Sequence, residues 1–371
     1  MRDSAGRPAR TTLRMVADRA GVSTATVSYV LSGRTGGRTG VSEATMARVR
    51  QAAQELNYHP NQAARAIRTG RTNLVLLSLT MLSDPWAQEV SRTVSVAVNP
   101  VGLTALILAD GDWATAITRQ PCDVALVDSV RTSEERAALS RLARSGYRLV
   151  VIDDELEPDG FDVIRSEATE GCRLAVRHLL ENHDRIGCLT TRMGLNLEHN
   201  RYAVYREELR AAGLEVREDY VETIDLDPTS AYTASVRMLS RPDRPTAIYA
   251  ISDFAAMSAV QAALRLRLRI PEDVAIIGVG NTLEGERMEP SLSSVGPTDF
   301  FTRLAGILKA RATGEPPGSG TLYDFSWSLF ARETTLGNAS GGQSETMIKH
   351  STGHVISQQI PSPQAENRAE S

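Results

Sequence analysis

The chain has only three cysteines in 371 residues. Cys122, Cys172 and Cys188 lack the paired spacing of a metal site, and an odd number cannot close completely into bridges. That usage fits a reducing compartment and packed thiols rather than a disulfide scaffold. No apolar run approaches the roughly 20 residues that a membrane helix needs, and residues 1–10 lack the apolar centre of a signal peptide. The expectation is a cytoplasmic protein with no membrane partner. Signals for chemistry are equally scarce. The GVGN that ends one apolar run lacks the third glycine of a dinucleotide fingerprint. Asp153-Asp154 closes another run, a place where paired acids are solvated. His59, His178, His183 and His199 show no ligand or triad spacing, and His350 and His354 lie near the C-terminus. The sequence therefore predicts no catalytic residues, no metal and no cofactor.

What is present is concentrated at the N-terminus. Residues 1–72 hold twelve arginines and no lysine against four acids, a net charge of +8, while the rest carries 29 basic and 41 acidic residues, a net −12. A short basic module on a larger acidic body suits a phosphate-binding head. Within it, Thr11 to Gly33 reads as two short helices joined by a tight turn. Val16, Ala17 and Ala20 are apolar at helical spacing, Gly21 breaks the pattern, Ser23 can cap a new start, and Val27, Val30 and Leu31 resume it. Thr24, Ala25, Ser28 and Tyr29 then fall towards the outer, N-terminal end of the second helix, the part of a helix-turn-helix that reaches base edges. An ordinary helical hairpin is the alternative on this segment alone. From Val41 a third helix follows, capped by Ser42 with Val49, Ala52, Ala53 and Leu56 on its buried face, and His59-Pro60 stops it. The Ala-rich stretch 62–68 is too short to hold itself helical in water.

The remaining pattern is α/β. LVLLSL, LTALILA, VALVDS and RLVVID, then IGCLT, YVETIDL, AIYAIS and VAIIGVG, alternate with amphipathic stretches. Such runs are strands of parallel sheets covered on both faces. They predict two doubly wound subdomains, about 74–160 with a return segment near 295–330, and about 161–292, with a ligand cleft at the carboxyl ends of the strands. The division is an N-terminal arm 1–10, a helix-turn-helix domain 11–59, a hinge 60–72, a two-lobed body 73–336 and a tail 337–371 whose Gly, Ser and Gln content predicts disorder.

AGVSTATVS with VLSG, VSEAT and NYHPNQAARAIRTGRT together resemble the LacI/GalR family of bacterial transcription regulators, over Thr12 to about Thr335. The resemblance implies an all-α helix-turn-helix head on a periplasmic-binding-protein-like body. It also implies a repressor that binds a palindromic double-stranded DNA operator as a homodimer under control of a small-molecule effector. On this reading Thr24, Ala25, Thr26, Ser28, Tyr29, Arg34, Asn61, Arg65, Ile67 and Arg68 meet DNA, with Ile67 where the family places a wedging leucine. The family's capping box at the first helix is Thr12-Leu13-Arg14-Met15 here, without its carboxylate. In the cleft the implied effector contacts are Trp86, Glu170, Arg201, Ser252, Asp253 and Asn281. The family's Asn-Pro-Phe-Phe is Asp84-Pro85-Trp86-Ala87, its Asn-Asp is Ser252-Asp253, and its Gly-Phe-Asp-Asp is Gly278-Val279-Gly280-Asn281, so side chains that hold sugar hydroxyls are shortened or missing. A small-molecule binding protein whose basic head serves another purpose is the competing class, and the hinge segment argues against it.

Overall fold

The computed structural model describes residues 11–31, 41–59, 66–67, 69–166, 168–196, 200–225, 227–314, 318–337, 347–350 and 355–357. Two compact units divide the chain after Thr72.

The first unit contains α1 (Leu13–Ala20), α2 (Thr24–Leu31) and α3 (Glu43–Glu55). Thr12 caps α1 by accepting from the Met15 N–H at 3.4 Å, so the cap forms, with a long bond, without the missing carboxylate. Gly21 ends the helix at φ 67°, a left-handed conformation that glycine adopts without a Cβ penalty. Ser23 then accepts from the Thr26 N–H at 3.1 Å and starts α2. Val16, Ala17, Ala20, Val27, Val30, Val49, Ala52 and Ala53 form the small core, while Leu31 and Leu56, expected inside, are half-buried at its margin. Arg19 clamps Glu55 at 2.7 Å, and the Thr11 hydroxyl donates to the Leu56 carbonyl at 2.9 Å, tying α1 to the end of α3.

The second unit has β1 (Leu74–Leu79), α4 (Pro85–Val98), β2 (Thr104–Ala109), α5 (Trp113–Arg119), β3 (Val124–Val127), α6 (Ser133–Arg144), β4 (Leu149–Ile152) and β5 (Asp162–Arg165). Next come α7 (Ala168–Leu180), β6 (Ile186–Thr191), α8 (Arg201–Ala211), β7 (Val221–Ile224), α9 (Pro228–Leu239), β8 (Ala247–Ala250), α10 (Asp253–Arg265), β9 (Ala275–Val279), α11 (Leu283–Arg287) and β10 (Ser293–Pro297). The last are α12 (Phe300–Thr313), β11 (Leu322–Asp324), β12 (Trp327–Ala331), α13 (Glu333–Leu336), β13 (Met347–His350) and β14 (Val355–Ser357).

One sheet, in order β11-β5-β4-β3-β1-β2, is parallel throughout. The other, β14-β13-β12-β10-β9-β8-β6-β7, is parallel from β10 to β7 and antiparallel beyond. The first sheet is covered on both faces. Val75, Leu77 and Leu79 pack with α4 and α12, and Leu76 packs with Trp113, Ile117 and Leu139 of α5 and α6. This two-sided burial is why β1, β3 and β4 read as unbroken apolar runs, while the equally apolar edge strand β2 is largely exposed.

Two boundaries differ from the sequence expectation. β5 belongs to the first lobe although it lies beyond residue 161, and β10 and β12, inside the expected return segment, belong to the second. The chain changes lobe between β5 and α7, between β10 and α12, and between β11 and β12, where Phe325 N–H donates to the Arg165 carbonyl at 3.0 Å. The tail also differs. β12 would be an edge with unpaired backbone groups, and β13 and β14 pair with it in succession, which needs no core of their own. The rest of 337–371 past Gly337 and the arm 1–10 lie outside the described residues.

Candidate functional site

The head presents one end of α2. Thr24 and Ala25, in its first turn, are exposed, and Val27 and Val30 anchor the opposite face. Thr26 is half-buried, with its hydroxyl 2.9 Å from that of Ser23, so part of its hydrogen-bonding capacity serves the cap. Ser28 and Tyr29 are half-buried too, and Tyr29 leans on the head core rather than standing clear of it. Arg14, Arg48 and Arg50 are exposed around these helices. In the hinge, Ala66, Ile67 and Thr69 are helical, the Gly70 N–H donates to the Ala66 carbonyl at 2.8 Å, and Ile67 is 87% exposed. A large apolar side chain so exposed has no packing role in its own unit. Arg34, Asn61, Arg65 and Arg68 lie outside the described residues.

The cleft lies where strand ends of the two lobes meet. From the second lobe, Ser252 caps α10 by accepting from the Ala255 N–H at 3.2 Å. Asp253 is buried and accepts from the Thr282 N–H and hydroxyl at 2.7 and 2.8 Å and from the Ser294 hydroxyl at 2.5 Å. Burial pushes its carboxyl above the usual range against these bonds. It thereby joins α10, the turn before α11 and β10. Gly278 beside it has no room for a side chain, since a Cβ would lie 2.4 Å from Asp253 Oδ1. Asn281, left-handed at φ 49°, accepts from Arg332 Nη2 at 2.6 Å, and Arg332 also donates to the Leu292 carbonyl at 2.7 Å. Arg201, at the start of α8, donates to the Ile251 carbonyl at 2.7 Å and lies 6.0 Å from the Trp327 ring centre.

The first lobe contributes Asp84, which caps α4 by accepting from the Trp86 N–H at 2.9 Å. Its carboxyl is pushed up to about 6, chiefly by burial and further by Asp253 of the other lobe, while the Trp86 N–H and Arg201 pull the other way. Asp84 thus lies in the electrostatic field of both Asp253 and Arg201. Trp86 is half-buried against Phe300 and Phe301, with ring centres 5.9 and 6.5 Å away, so wall packing occupies much of it. Glu170 sits apart on α7, paired with Arg173 at 3.2 Å in a cluster with Glu207 and Glu208. Sequence reasoning did not select Asp84, Thr282, Ser294 or Arg332. Asp-Pro opening a helix is a cap signature that marks Asp84. The other three act through partners 29 to 51 residues away, which no local pattern announces.

Of the histidines, His178 is buried with Nε2 2.9 Å from the Thr335 hydroxyl, and His183 lies 3.2 Å from that of Thr246. Cys172 and Cys188 are buried and Cys122 is half-buried. Among the described residues no helix is long and apolar enough to cross a membrane.

A helix-turn-helix head followed by two lobes of this topology defines a DNA-binding transcription regulator with a periplasmic-binding-protein-like domain. Residues 12–61 match the bacterial regulatory proteins of the lacI family, and residues 176–334 match the periplasmic binding protein-like domain. The chain is 31% identical over 293 residues to the HTH-type transcriptional repressor PurR of Pectobacterium carotovorum, covering 76% of this chain and 84% of that one. It is 30% identical over 316 residues to PurR of Yersinia enterocolitica, covering 81% and 91%. Among solved structures it is similar to the transcriptional regulator CelR–cellobiose complex, at 26% identity and a TM-score of 0.56, covering 88% of this chain and 100% of that one. The Lac repressor dimer bound to operator and the anti-inducer ONPF shares the fold, with a TM-score of 0.66 at 22% identity over 88% and 99% of the chains. The chain belongs to the lacI family of bacterial regulatory proteins.

Proposed function

We propose that this regulator is a repressor that binds a palindromic operator as a homodimer, under control of a small molecule held between the lobes. The observation that carries the DNA half is the exposed first turn of α2, Thr24 and Ala25, on a capped helix whose other face is fixed in the head core. A recognition helix presents that end to base edges in the major groove. Thr26, Ser28 and Tyr29 sit behind it as support and secondary contacts. Ile67, exposed on its helical turn, is the apolar wedge for a central base step, and Arg34, Asn61, Arg65 and Arg68 are the further DNA contacts that the sequence resemblance implies. The repressor role is supported by the PurR relatives, and the effector role by the cellobiose-bound neighbour.

For the effector, Arg201 and Trp86 are the side chains best placed to meet a ligand, and Asp84 joins them. Ser252, Asp253 and Asn281 already have partners within the lobe, and Glu170 pairs with Arg173, so these four shape the cleft wall more than they offer free groups. The protein acts by binding, without catalysis, in the cytoplasm where its DNA is. Selection of bound sites from random duplexes tests this reading. Enrichment of a two-fold symmetric site is the expected result, and recovery of sequences with no shared half-site would overturn it.

A further inference from the structure

The loop after β1 reaches out of its own lobe. Met81 belongs by connectivity to the first lobe, yet its side chain is only 8% exposed, within the second lobe's apolar cluster built from residues such as Leu189, Phe254 and Ala255. Its backbone is left-handed at φ 54°, a conformation that a long side chain rarely adopts. The loop holds it there: Met81 N–H donates to Asp110 Oδ1 at 2.9 Å, and Asp84 N–H donates to the Met81 carbonyl at 2.9 Å. The preceding Thr80 donates from its N–H and hydroxyl to Asp128 at 2.6 and 3.1 Å. Anchors at the ends of β2 and β3 thus hold Met81 and the residue before it, while the Met81 side chain serves the other lobe. A strained residue held in this way marks a place where the fold needs that side chain pointed one way.

The surroundings make the contact consequential. Beyond it, Pro85 and Gln88 of α4 face Met257 and Met288 across an open cavity of about 620 Å³, so this part of the seam is not filled by side chains. Elsewhere the lobes are linked by the three crossing segments and by the approach of α11 to α4, the arrangement of a hinged pair. We propose that Met81 is an interlobe pin, a positioning residue that holds the lobes together before any ligand binds. A pin of this kind raises the population of the closed arrangement and reduces the rearrangement that a ligand must drive. One apolar side chain shifts such a balance without locking it.

The test uses the full chain without ligand. Spin labels are placed on cysteines introduced at the exposed positions Arg144 in the first lobe and Glu215 in the second, with Cys122→Ser and labelled protomers diluted into unlabelled chain. Distance distributions are compared for the parent, Met81→Leu, Met81→Ala and Met81→Gln, with helical circular dichroism recorded for each. Met81→Leu should keep the parental distribution. Met81→Ala should broaden it, and Met81→Gln should shift it to longer separations with the helical signal intact. Distributions that superimpose across all four overturn the proposal. So does loss of helical signal in Met81→Gln while Met81→Ala stays closed, because Met81 would then serve folding rather than lobe position. Operator binding plays no part in the readout, so a failed repressor assignment and a failed pin are told apart.

Discussion

The reading end of α2 and the wall of the cleft are both polar surfaces at helix starts, and they treat their polar groups in opposite ways. On α2, the cap is Ser23, outside the helix, and the residues that follow, Thr24 and Ala25, are left exposed. At α10, the cap is Ser252, and the next residue, Asp253, is buried and accepts three hydrogen bonds from its own lobe. Asn281 is likewise engaged by Arg332. A surface meant for a long, charged, water-covered partner can leave its contacts open, since water satisfies them until the partner arrives. A wall made of converging strand ends must satisfy its buried groups itself, because an unpaired one costs about 1–3 kcal/mol. Substitutions on the first surface therefore alter binding, and those in the second alter the fold.

The largest effect is expected at Asp253. Asp253→Ala strips the partner from the Thr282 N–H and from two hydroxyls and should lower the stability of the body by about 3 kcal/mol, summing unpaired buried groups. Urea unfolding measures it, and a variant with parental stability would put Asp253 among free ligand contacts after all. Next comes Ala25→Glu. A carboxylate in the first turn suits the helix dipole, so melting should not fall, while operator affinity should drop by about 2 kcal/mol or more as the contact to a base edge is replaced by repulsion from DNA. If affinity stayed parental, α2 would not be the reading element.

Asp84 sharpens the comparison through pH. Its folded value of about 6 lies above the ordinary 3.8, so the folded body retains a proton that the unfolded chain has released. Its contribution is therefore most favourable below about pH 4 and declines as pH rises through 6, with a cost at neutral pH on the order of 2 kcal/mol. Asp84→Asn keeps an equally good cap and should remove that decline, stabilising the body at pH 7. Parallel stability–pH curves for the two proteins would show that burial does not raise the Asp84 carboxyl. The smallest effect is expected at Arg19. Its pair with Glu55 is exposed, so Arg19→Met should leave head stability little changed. A large loss in thermal melting would show that the pair holds the head together.

Of the eight strands legible in the sequence, β1, β3, β4, β6, β8 and β9 are buried parallel strands with apolar side chains on both faces, whereas the edge strands β2, largely exposed, and β7, buried at alternate positions, were legible from apolar content alone. β5, β10, β11 and β12 were not, because DVIR, SSVGP and LYD carry little apolar length and WSLFA sits next to the lobe change, where connectivity rather than composition decides the sheet. The head was legible almost to the residue, since caps, glycine and apolar spacing are local signals. The exceptions lie at its margin: spacing puts Tyr29 outside and Leu31 and Leu56 inside, and all three are half-buried at the edge of a small core. In the cleft, aligned positions such as Ser252 and Asn281 were found, but their engagement was not. Asn281 meets Arg332 only because β10 and β12 pair antiparallel, with Ser294 opposite Phe330.

The central claim is that a net +8 head reads DNA while a net −12 body does not. It is tested most directly by measuring affinity for the selected operator and for random duplex across a salt series. The account predicts that both affinities fall steeply, the operator's on the order of a thousand-fold between about 50 and 200 mM salt as several phosphates per dimer are released, with the operator tighter throughout. A nearly flat salt dependence, or equal affinity for the two duplexes, would contradict it.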